Sequence, residues 1–176
     1  MEEEKVVLVD LQDQQLGTMG KMEAHKKAVL HRAFSIFILN PNQELLLQQR
    51  AFGKYHSPGL WTNTCCSHQR EGETNLQAGN RRLREEMGMT VSLEELFSFN
   101  YKASFDNGLT EHELDHVMVG FSEEDPKINT KEVAAYKWMH IDAVKEDLKK
   151  SPDDYTVWFA IIFNRFCQHL EDQLKL

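Results

Sequence analysis

A thiol and an imidazole lie close together in the segment WTNTCCSH, which spans residues 61–68. If this segment is extended, side chains two residues apart share a face, so Cys66 and His68 point one way and Cys65 points the other way. A thiol can take part in proton transfer, and an imidazole is a common ligand of divalent metals. The alternation therefore predicts that Cys66, and not Cys65, takes part in chemistry.

A pair of carboxylates stands further along the chain, in the segment EHE at residues 111–113. The same period-two spacing places Glu111 and Glu113 on one face of their own strand and His112 on the opposite face. If the two segments are neighbours in the fold, two carboxylates, an imidazole and a thiol converge on one site.

Several residues of the chain could bind a metal ion. The candidates are His25, His31, His68, Glu111, Glu113 and, separately, Glu86. Each one taken alone is more often a structural or solvated residue, because single histidines and glutamates are common on protein surfaces. Together they offer mixed nitrogen and oxygen ligands, which suit Zn, Mn or Mg and select none of them. The histidines for which no convergent partner is expected are His112, His116, His140 and His169.

The composition limits the class of protein. The chain has 176 residues, of which 41% are hydrophobic and 27% are charged, and its formal net charge is -8. These values favour one soluble globular domain over residues 1–176. The excess of acids disfavours broad nucleic-acid binding, because that needs a basic surface to neutralise phosphates.

The amino terminus and the apolar runs indicate where in the cell the protein is expected. The acidic start of the chain lacks the basic residues of a secretory signal, and the apolar run at residues 157–163 is shorter than the ~20 residues that span a bilayer. We therefore expect a cytoplasmic protein without a membrane anchor, whose three cysteines are free thiols.

The apolar patterning predicts strands interleaved with helices, and these elements must position the candidate side chains. The predicted strands are 5–10, 33–40, 44–50, 91–101, 114–121 and 133–141, with a turn or short hairpin arm up to Gly20. The second and third of these strands are expected to form a buried hairpin around the turn at residues 40–42. The predicted helices are 74–87, 142–150 and one that begins at the SPDD segment, residues 151–154. Lys21 and His25 fall in a segment that we expect to be polar and irregular.

The central helix carries a second pattern. Ser67, Glu73 and the segment RRLREEMGM at residues 81–89 have the spacing of the Nudix box, a loop, helix and loop that bind diphosphates and divalent ions. Ser67 stands where that box has glycine, and Arg82 stands where it has its first helix glutamate. The loss of that acid is expected to weaken the metal cluster of a hydrolase. The alternative is an ordinary helix whose two (i, i+4) Arg/Glu pairs within residues 81–86 are surface salt bridges worth ~0.3 kcal/mol each.

Four ordered motifs resemble type 1 isopentenyl-diphosphate delta-isomerase. They are LHRAFS at residues 30–35, LLQQR at residues 46–50, TNTCCSH at residues 62–68 and EHE at residues 111–113. The resemblance runs from about Lys5 to the final helix. It implies an α/β (α+β) fold in which a Nudix-like mixed β-sheet is sandwiched between helices. The implied activity is the isomerisation of isopentenyl diphosphate to dimethylallyl diphosphate in isoprenoid biosynthesis.

The resemblance implies roles for individual side chains. Cys66 and Glu113 correspond to the groups that protonate the alkene and remove the second proton, and which of them donates first stays open. Tyr101 supports the acid, and Trp158 supplies an aromatic face for a tertiary carbocation, a cation–π interaction worth about 2 kcal/mol when desolvated. The alternative for Trp158 is a core tryptophan beside Phe159.

The resemblance also implies the binding residues. The diphosphate contacts are Lys21, Arg50, Lys54 and Arg82, together with a bound Mg ion. The ligands of a first divalent ion, Mn, Zn or Mg, are His25, His31, His68, Glu111 and Glu113. The Mg ion bound with the substrate is held by Glu86 and the backbone carbonyl of Cys66.

Two other functions compete with the isomerase. A Nudix hydrolase that cleaves a nucleoside diphosphate derivative is favoured by Glu85 and Glu86 but opposed by Arg82, Cys66 and the three-histidine set. A non-catalytic, metal-binding interaction domain would use the histidines and acids as structural ligands only, so that metal removal unfolds it and the thiol is dispensable.

Overall fold

The computed structural model describes residues 2–174, and within that range nine strands form one mixed sheet. The strands are β1 Lys5–Val9, β2 Gln15–Gly20, β3 His31–Leu39, β4 Glu44–Arg50, β5 Trp61–Thr62, β6 Cys65–Ser67, β7 Glu94–Ser104, β8 Thr110–Phe121 and β9 Val133–His140. The helices are α1 Lys21–Lys27, α2 Asn75–Met87, α3 Ile141–Lys150 and α4 Val157–Leu174, with a short 3-10 turn at Pro152–Asp154. The predicted single domain spans residues 1–176, and residues 1, 175 and 176 of it lie outside the described range.

Strand β3 lies at the centre of the sheet and brings the two chemical segments together. It pairs in parallel with β8, from His31 opposite Glu113 to Leu39 opposite Phe121. It also pairs antiparallel with β6, where Ser35 lies opposite Cys66. The thiol segment and the carboxylate segment are therefore both neighbours of one strand.

The sheet has an apolar core on each face. Along β3, alternate side chains such as Phe37 and Ile36 enter different cores, as expected for a strand that is covered on both faces. One core contains the α4 residues Phe159, Phe163 and Phe166, and the other contains the α2 residues Ala78, Leu83 and Met87. The predicted fold class, a mixed sheet sandwiched between helices, is confirmed.

Helix α2 begins and ends where the sequence predicts. The Thr74 hydroxyl accepts a hydrogen bond from the Gln77 backbone at 3.1 Å, and the Gln77 side chain accepts one from the Thr74 backbone at 2.9 Å, which forms a capping box. Gly88 ends the helix in the left-handed region, with φ of 62°. A Cβ atom at Gly79 would lie 2.7 Å from the Met118 side chain, so this glycine lets the helix pack closely on β8.

The predicted hairpin of β3 and β4 is wrong beyond its tip. Only Leu39 and Leu45 pair in register, because β6 pairs with the middle of β3 and β5 pairs with the end of β4. The Thr64 hydroxyl fills the gap between the two strands. It accepts a hydrogen bond from the Ile38 backbone at 2.9 Å and donates one to the Leu46 carbonyl at 2.6 Å.

Two other local predictions are also wrong. The segment expected to be irregular is helix α1, whose buried residues are Ala24 and His25, so its inner face shows no apolar pattern. The final helix does not begin at Ser151, because Tyr155 is extended and forms an isolated bridge with Trp61. The Thr156 hydroxyl instead accepts a hydrogen bond from the Phe159 backbone at 3.3 Å at the start of α4. Within residues 2–174, no helix has the length and apolar character needed to cross a bilayer.

Candidate active site

A pocket opens beside β3, between the segments that carry the thiol and the carboxylates. It encloses about 570 Å³, including the part that opens to solvent. Eleven of the predicted site residues line it: Cys66, Glu113, Tyr101, Trp158, Lys21, Arg50, Lys54, Arg82, His68, Glu111 and Glu86. His25 and His31 do not line the pocket and are 1% and 0% exposed.

Four of the predicted metal ligands form one buried cluster. His25, His31, His68 and Glu113 each offer one ligand atom, and these atoms all lie within 4.8 Å of one another. Glu113 Oε1 is 3.0 Å from His68 Nε2 and 3.6 Å from His31 Nε2. The His31 Nδ1 atom lies 2.8 Å from the Val29 carbonyl, a contact that orients the ring and leaves Nε2 facing the cluster.

The cluster fits a divalent ion. Both ring nitrogens of His25, Nε2 of His31 and Nδ1 of His68 are buried without a hydrogen-bond partner among residues 2–174. Leaving such an atom unsatisfied costs about 1–3 kcal/mol, and a bound ion would satisfy several at once. Burial, followed by the neighbouring His68 and His31, lowers the pKa of His25 to about 3, so this ring is neutral, which is the form that binds metals.

Glu111 lies beside the cluster and is not one of its four mutually close members. Its Oε2 lies 3.1 Å from the Tyr101 hydroxyl oxygen, and its Oε1 lies 3.6 Å from His56 Nε2. The role of Glu111 as a metal ligand stays a prediction.

The two carboxylates differ in protonation. Burial opposes ionisation of Glu113, but the neighbouring His31 and the hydrogen bond with His68 outweigh it and hold the pKa of Glu113 well below its usual range. Burial, followed by the charge of Glu113, raises the pKa of Glu111 well above its usual range. The Tyr101 hydroxyl donates to Glu113 Oε2 at 2.7 Å and so connects both acids. The pair therefore holds one carboxylate charge and a hydroxyl hydrogen at the pocket wall.

Cys66 and Cys65 face opposite sides of the sheet, as their alternation predicts. Cys66 lines the pocket, and its thiol donates to Asn63 Oδ1 at 2.9 Å and lies 3.4 Å from the Ser35 hydroxyl. Burial, followed by the charge of Asp115, raises the pKa of Cys66, so the protein holds a thiol here and not a thiolate. Cys65 is fully buried in the core beneath α2.

Trp158 has the location expected for each of the two roles considered for it. It is 3% exposed and packs in the core beside Phe159, yet it also lines the pocket. The Arg50 guanidinium carbon lies 5.1 Å from its ring centroid, which shows that the ring can accept a cation. His56 meets the ring edge-on, at 5.4 Å and 87°.

The four predicted diphosphate contacts line the pocket, and three of them are paired with acids. Lys21 lies 3.2 Å from Glu4, and Lys54 forms an ion pair with Glu132. Arg82 pairs with Glu86 and lies 3.5 Å from Glu132. The (i, i+4) salt bridge expected by the alternative interpretation of α2 is thus present, but its arginine also faces the pocket.

Comparison with known proteins agrees with this site. Residues 29–159 match the NUDIX domain family. The chain is 50% identical over 161 residues to the isopentenyl-diphosphate Delta-isomerase of Pectobacterium atrosepticum, covering 92% of this chain and 90% of that protein. It is 48% identical over 175 residues to isopentenyl-diphosphate Delta-isomerase 2 of Photorhabdus laumondii, covering 99% of each. The chain belongs to the isopentenyl-diphosphate Delta-isomerase family.

Solved structures show that this isomerase chain has a widespread fold. DR0079 of Deinococcus radiodurans superposes with a TM-score of 0.70 at 19% identity, covering 84% of this chain and 90% of that one. The MutT protein of Methanosarcina mazei Go1 superposes with a TM-score of 0.64 at 19% identity, covering 79% and 94%. At such low identity the likeness concerns the fold alone.

Sequence reasoning missed two buried polar residues of this isomerase-family site. His56 lines the pocket on the loop between β4 and β5, and no periodic pattern marks that loop. Asp115 is 1% exposed and continues the alternation of Glu111 and Glu113 by one more step, so the period-two argument could have found it. Burial, followed by the charge of Glu113, raises the pKa of Asp115 to about 8.

Proposed function

We infer that the protein isomerises isopentenyl diphosphate to dimethylallyl diphosphate through a tertiary carbocation. The observation that supports this most directly is that Cys66 and the Glu113–Tyr101 pair, carried by strands on either side of β3, line one pocket with Trp158. The reaction needs an acid and a base aligned with a five-carbon chain. The pocket offers both kinds of group.

Proton movement is assigned to atoms that already carry or accept hydrogen. An alkene is a very weak base, so the donor must be held against the terminal carbon of the substrate while the acceptor lies near C2. The candidates are the Cys66 thiol and the Glu113 carboxyl group, whose Oε2 accepts from the Tyr101 hydroxyl at 2.7 Å. Transfer between these two groups and the allylic unit moves the double bond without any change in the diphosphate.

The carbocation must be stabilised without water, which would trap it as an alcohol. Trp158 offers a π face, worth about 2 kcal/mol for a desolvated cation. Cys66, Glu113 and Trp158 come from strands and a helix whose inner faces are buried, so the reacting part of the pocket is drier than its mouth.

Diphosphate binding is assigned to Lys21, Arg50, Lys54 and Arg82, which all line the pocket. Two of the acids that now pair with these cations, Glu4 and Glu132, must release them when the diphosphate enters. Glu86 and the Cys66 carbonyl are the proposed ligands of Mg, which supplies positive charge against the diphosphate. Arg82 takes the place of a box glutamate, which disfavours water attack on the substrate.

The buried cluster is proposed to hold a second divalent ion, Mn, Zn or Mg. His25, His31, His68 and Glu113 would bind it, with Glu111 as a fifth ligand. A bound ion supplies a fixed positive charge that orients the carboxylates and replaces the missing partners of the ring nitrogens. The other oxygen of Glu113 remains available to Tyr101 and to the substrate.

NMR of isopentenyl diphosphate with the protein in D2O tests the function. With Mg and Mn supplied, we expect dimethylallyl diphosphate that carries deuterium from the solvent. Cys66→Ala is the matched control and is expected to give no product. Unchanged substrate in the presence of folded wild-type protein and both metals would falsify the assignment.

The same sample separates the isomerase from a Nudix hydrolase. Hydrolysis is favoured only by the fold and by the adjacent acids Glu85 and Glu86 on α2. It would release phosphate, which phosphorus NMR detects, whereas isomerisation keeps the diphosphate intact. We further propose a reducing, cytoplasmic location, because Cys65, Cys66 and Cys167 are all free thiols and the mechanism needs one of them reduced.

A further inference from the structure

Asp115 has a buried carboxyl group that the proposed reaction does not use. Its Oδ2 accepts a hydrogen bond of 2.8 Å from the Ser35 hydroxyl, and its Oδ1 has no hydrogen-bond partner within residues 2–174. A buried carboxylate with so few partners is costly, and an apolar side chain of similar size often gives a more stable protein. Fold stability alone therefore does not account for an aspartate at this position.

The Ser35 hydroxyl connects this carboxylate with the reactive thiol. Ser35 lies opposite Cys66 in the pairing of β3 with β6, and its Oγ is 3.4 Å from the Cys66 sulfur. A hydroxyl group has one hydrogen, and Asp115 accepts it. Ser35 therefore presents oxygen lone pairs to the sulfur, and Asp115 sets that orientation.

Asn63 holds the sulfur from a second direction. Its side-chain nitrogen donates to the backbone carbonyls of Ile36 and Cys65, each at 3.0 Å, so the amide cannot turn round without losing both bonds. Its Oδ1 accepts from the Cys66 thiol at 2.9 Å. The sulfur thus faces two acceptor oxygens whose orientations are fixed by other groups.

We propose that Asp115 is a positioning residue for the Cys66 thiol and acts through Ser35. While Asp115 holds Ser35 as an acceptor, the thiol hydrogen is kept between Ser35 and Asn63, and rotation of the Cys66 side chain is restricted. The inference rests on the proposed isomerase function, in which the sulfur must be aligned with the substrate before a proton moves.

A double-mutant cycle on kcat tests this coupling, with Ser35→Ala, Asp115→Val and the double variant. Each single change is expected to lower kcat by roughly ten- to a hundredfold, because a small misplacement of a reacting group is that costly. KM for isopentenyl diphosphate is expected to stay the same. Because Asp115 acts through Ser35, Asp115→Val should have no further effect in the Ser35→Ala protein. An equal loss in both backgrounds contradicts the proposal.

Thr64→Val is the matched control for the loss of a buried hydroxyl. Among the described residues, the Thr64 hydroxyl forms hydrogen bonds with the backbone groups of Ile38 and Leu46 and with no side chain, so its removal is expected to lower stability and spare kcat. Asp115→Val is expected to fold at least as stably as the wild type, which separates positioning from a structural role. A fall in Asp115→Val stability without a fall in kcat overturns the proposal.

The infrared S–H stretching band of Cys66 gives a readout that does not depend on turnover. It is assigned from the difference between wild type and Cys66→Ala. We expect it to shift in Ser35→Ala and in Asp115→Val and to stay in place in Thr64→Val. If wild type is active and the band does not shift in Ser35→Ala or Asp115→Val, this inference is overturned and the proposed function stands. Shifted bands together with a wild-type protein that does not isomerise the substrate overturn the proposed function.

Discussion

Two buried polar clusters on opposite faces of the sheet are satisfied in opposite ways. On the face covered by α4, both ring nitrogens of His25 lack a hydrogen-bond partner among the described residues 2–174. On the face covered by α2, Glu86 accepts from the Gln48 side chain at 2.9 Å, from Arg82 and from the Cys65 thiol at 3.4 Å. The second cluster is hydrogen-bonded within the folded chain, whereas the first has nitrogens that a bound ion would satisfy.

The two clusters are therefore expected to contribute differently to the stability of the metal-free protein. Unsatisfied buried atoms lower the stability of the metal-free protein, and that loss is recovered when an ion binds. A satisfied network stabilises the fold in every state of the site. Substitutions in the first cluster should therefore change metal response without lowering metal-free stability. Substitutions in the second should lower stability, in addition to any loss of binding where Glu86 or Arg82 is itself replaced.

The largest expected effects come from substituting the adjacent cysteines, which lie on the two different faces of the sheet. Cys66→Ala is expected to lower kcat by roughly 10²–10⁴-fold, the usual contribution of a general acid or base, with little change in unfolding free energy. Cys65→Ala is expected to lower the unfolding free energy by about 1 kcal/mol through lost packing and the lost contact with Glu86, with kcat close to wild type. Steady-state kinetics and urea unfolding measure the two effects.

The outcome that defeats the contrast is an equal loss of kcat in both cysteine variants. It would mean that facing the pocket does not distinguish Cys66 from its neighbour. A Cys66→Ala protein with the kcat of wild type would show that the thiol is not one of the two proton-transfer groups.

Period-two alternation could be read from the sequence because it depends only on the backbone of an extended strand. It correctly separated Cys66 from Cys65 and placed Glu111 and Glu113 on one face. The capping box of α2 was equally local, since Thr74 lies just before a periodic apolar pattern. These features need no knowledge of the rest of the fold.

Other features depend on tertiary contacts and could not be predicted in this way. Helix α1 was missed because its buried face carries His25, which packs against His31 and His68 instead of an apolar core. The splaying of β3 from β4 requires Thr64 to bridge them, and Thr64 lies far along the chain. His56 reaches the pocket from an irregular loop, where no spacing rule applies.

Metal binding gives the second largest effect. Mn or Zn at about 100 times its Kd is expected to raise the unfolding free energy by about 2.7 kcal/mol, because the ion binds only the folded state. His25→Ala should abolish most of this increase while leaving the metal-free protein as stable as before or more stable, since two unsatisfied nitrogens are removed. Thermal or urea unfolding with EDTA and with the ion measures both quantities.

A Gln48→Leu variant supplies the control from the other cluster. It loses hydrogen bonds to Glu86 and to the Thr64 carbonyl, so its unfolding free energy should fall by a similar amount with and without the ion in the His25 cluster. If His25→Ala gains as much stability from the ion as wild type does, the ion is not held by this cluster.

The smallest expected effect is the pH dependence contributed by His56. Burial, followed by the charge of Arg50, lowers the pKa of His56 to about 3, below its value in the unfolded chain. The unfolded state therefore binds a proton that the folded state rejects, and stability is lost as pH falls below about 6.5. Between pH 7 and pH 5.5, metal-free wild type should lose about 1 kcal/mol relative to His56→Phe, which keeps the ring contact with Trp158. Urea unfolding at the two pH values measures the difference, and parallel curves for wild type and His56→Phe would show that His56 accepts a proton in the folded protein.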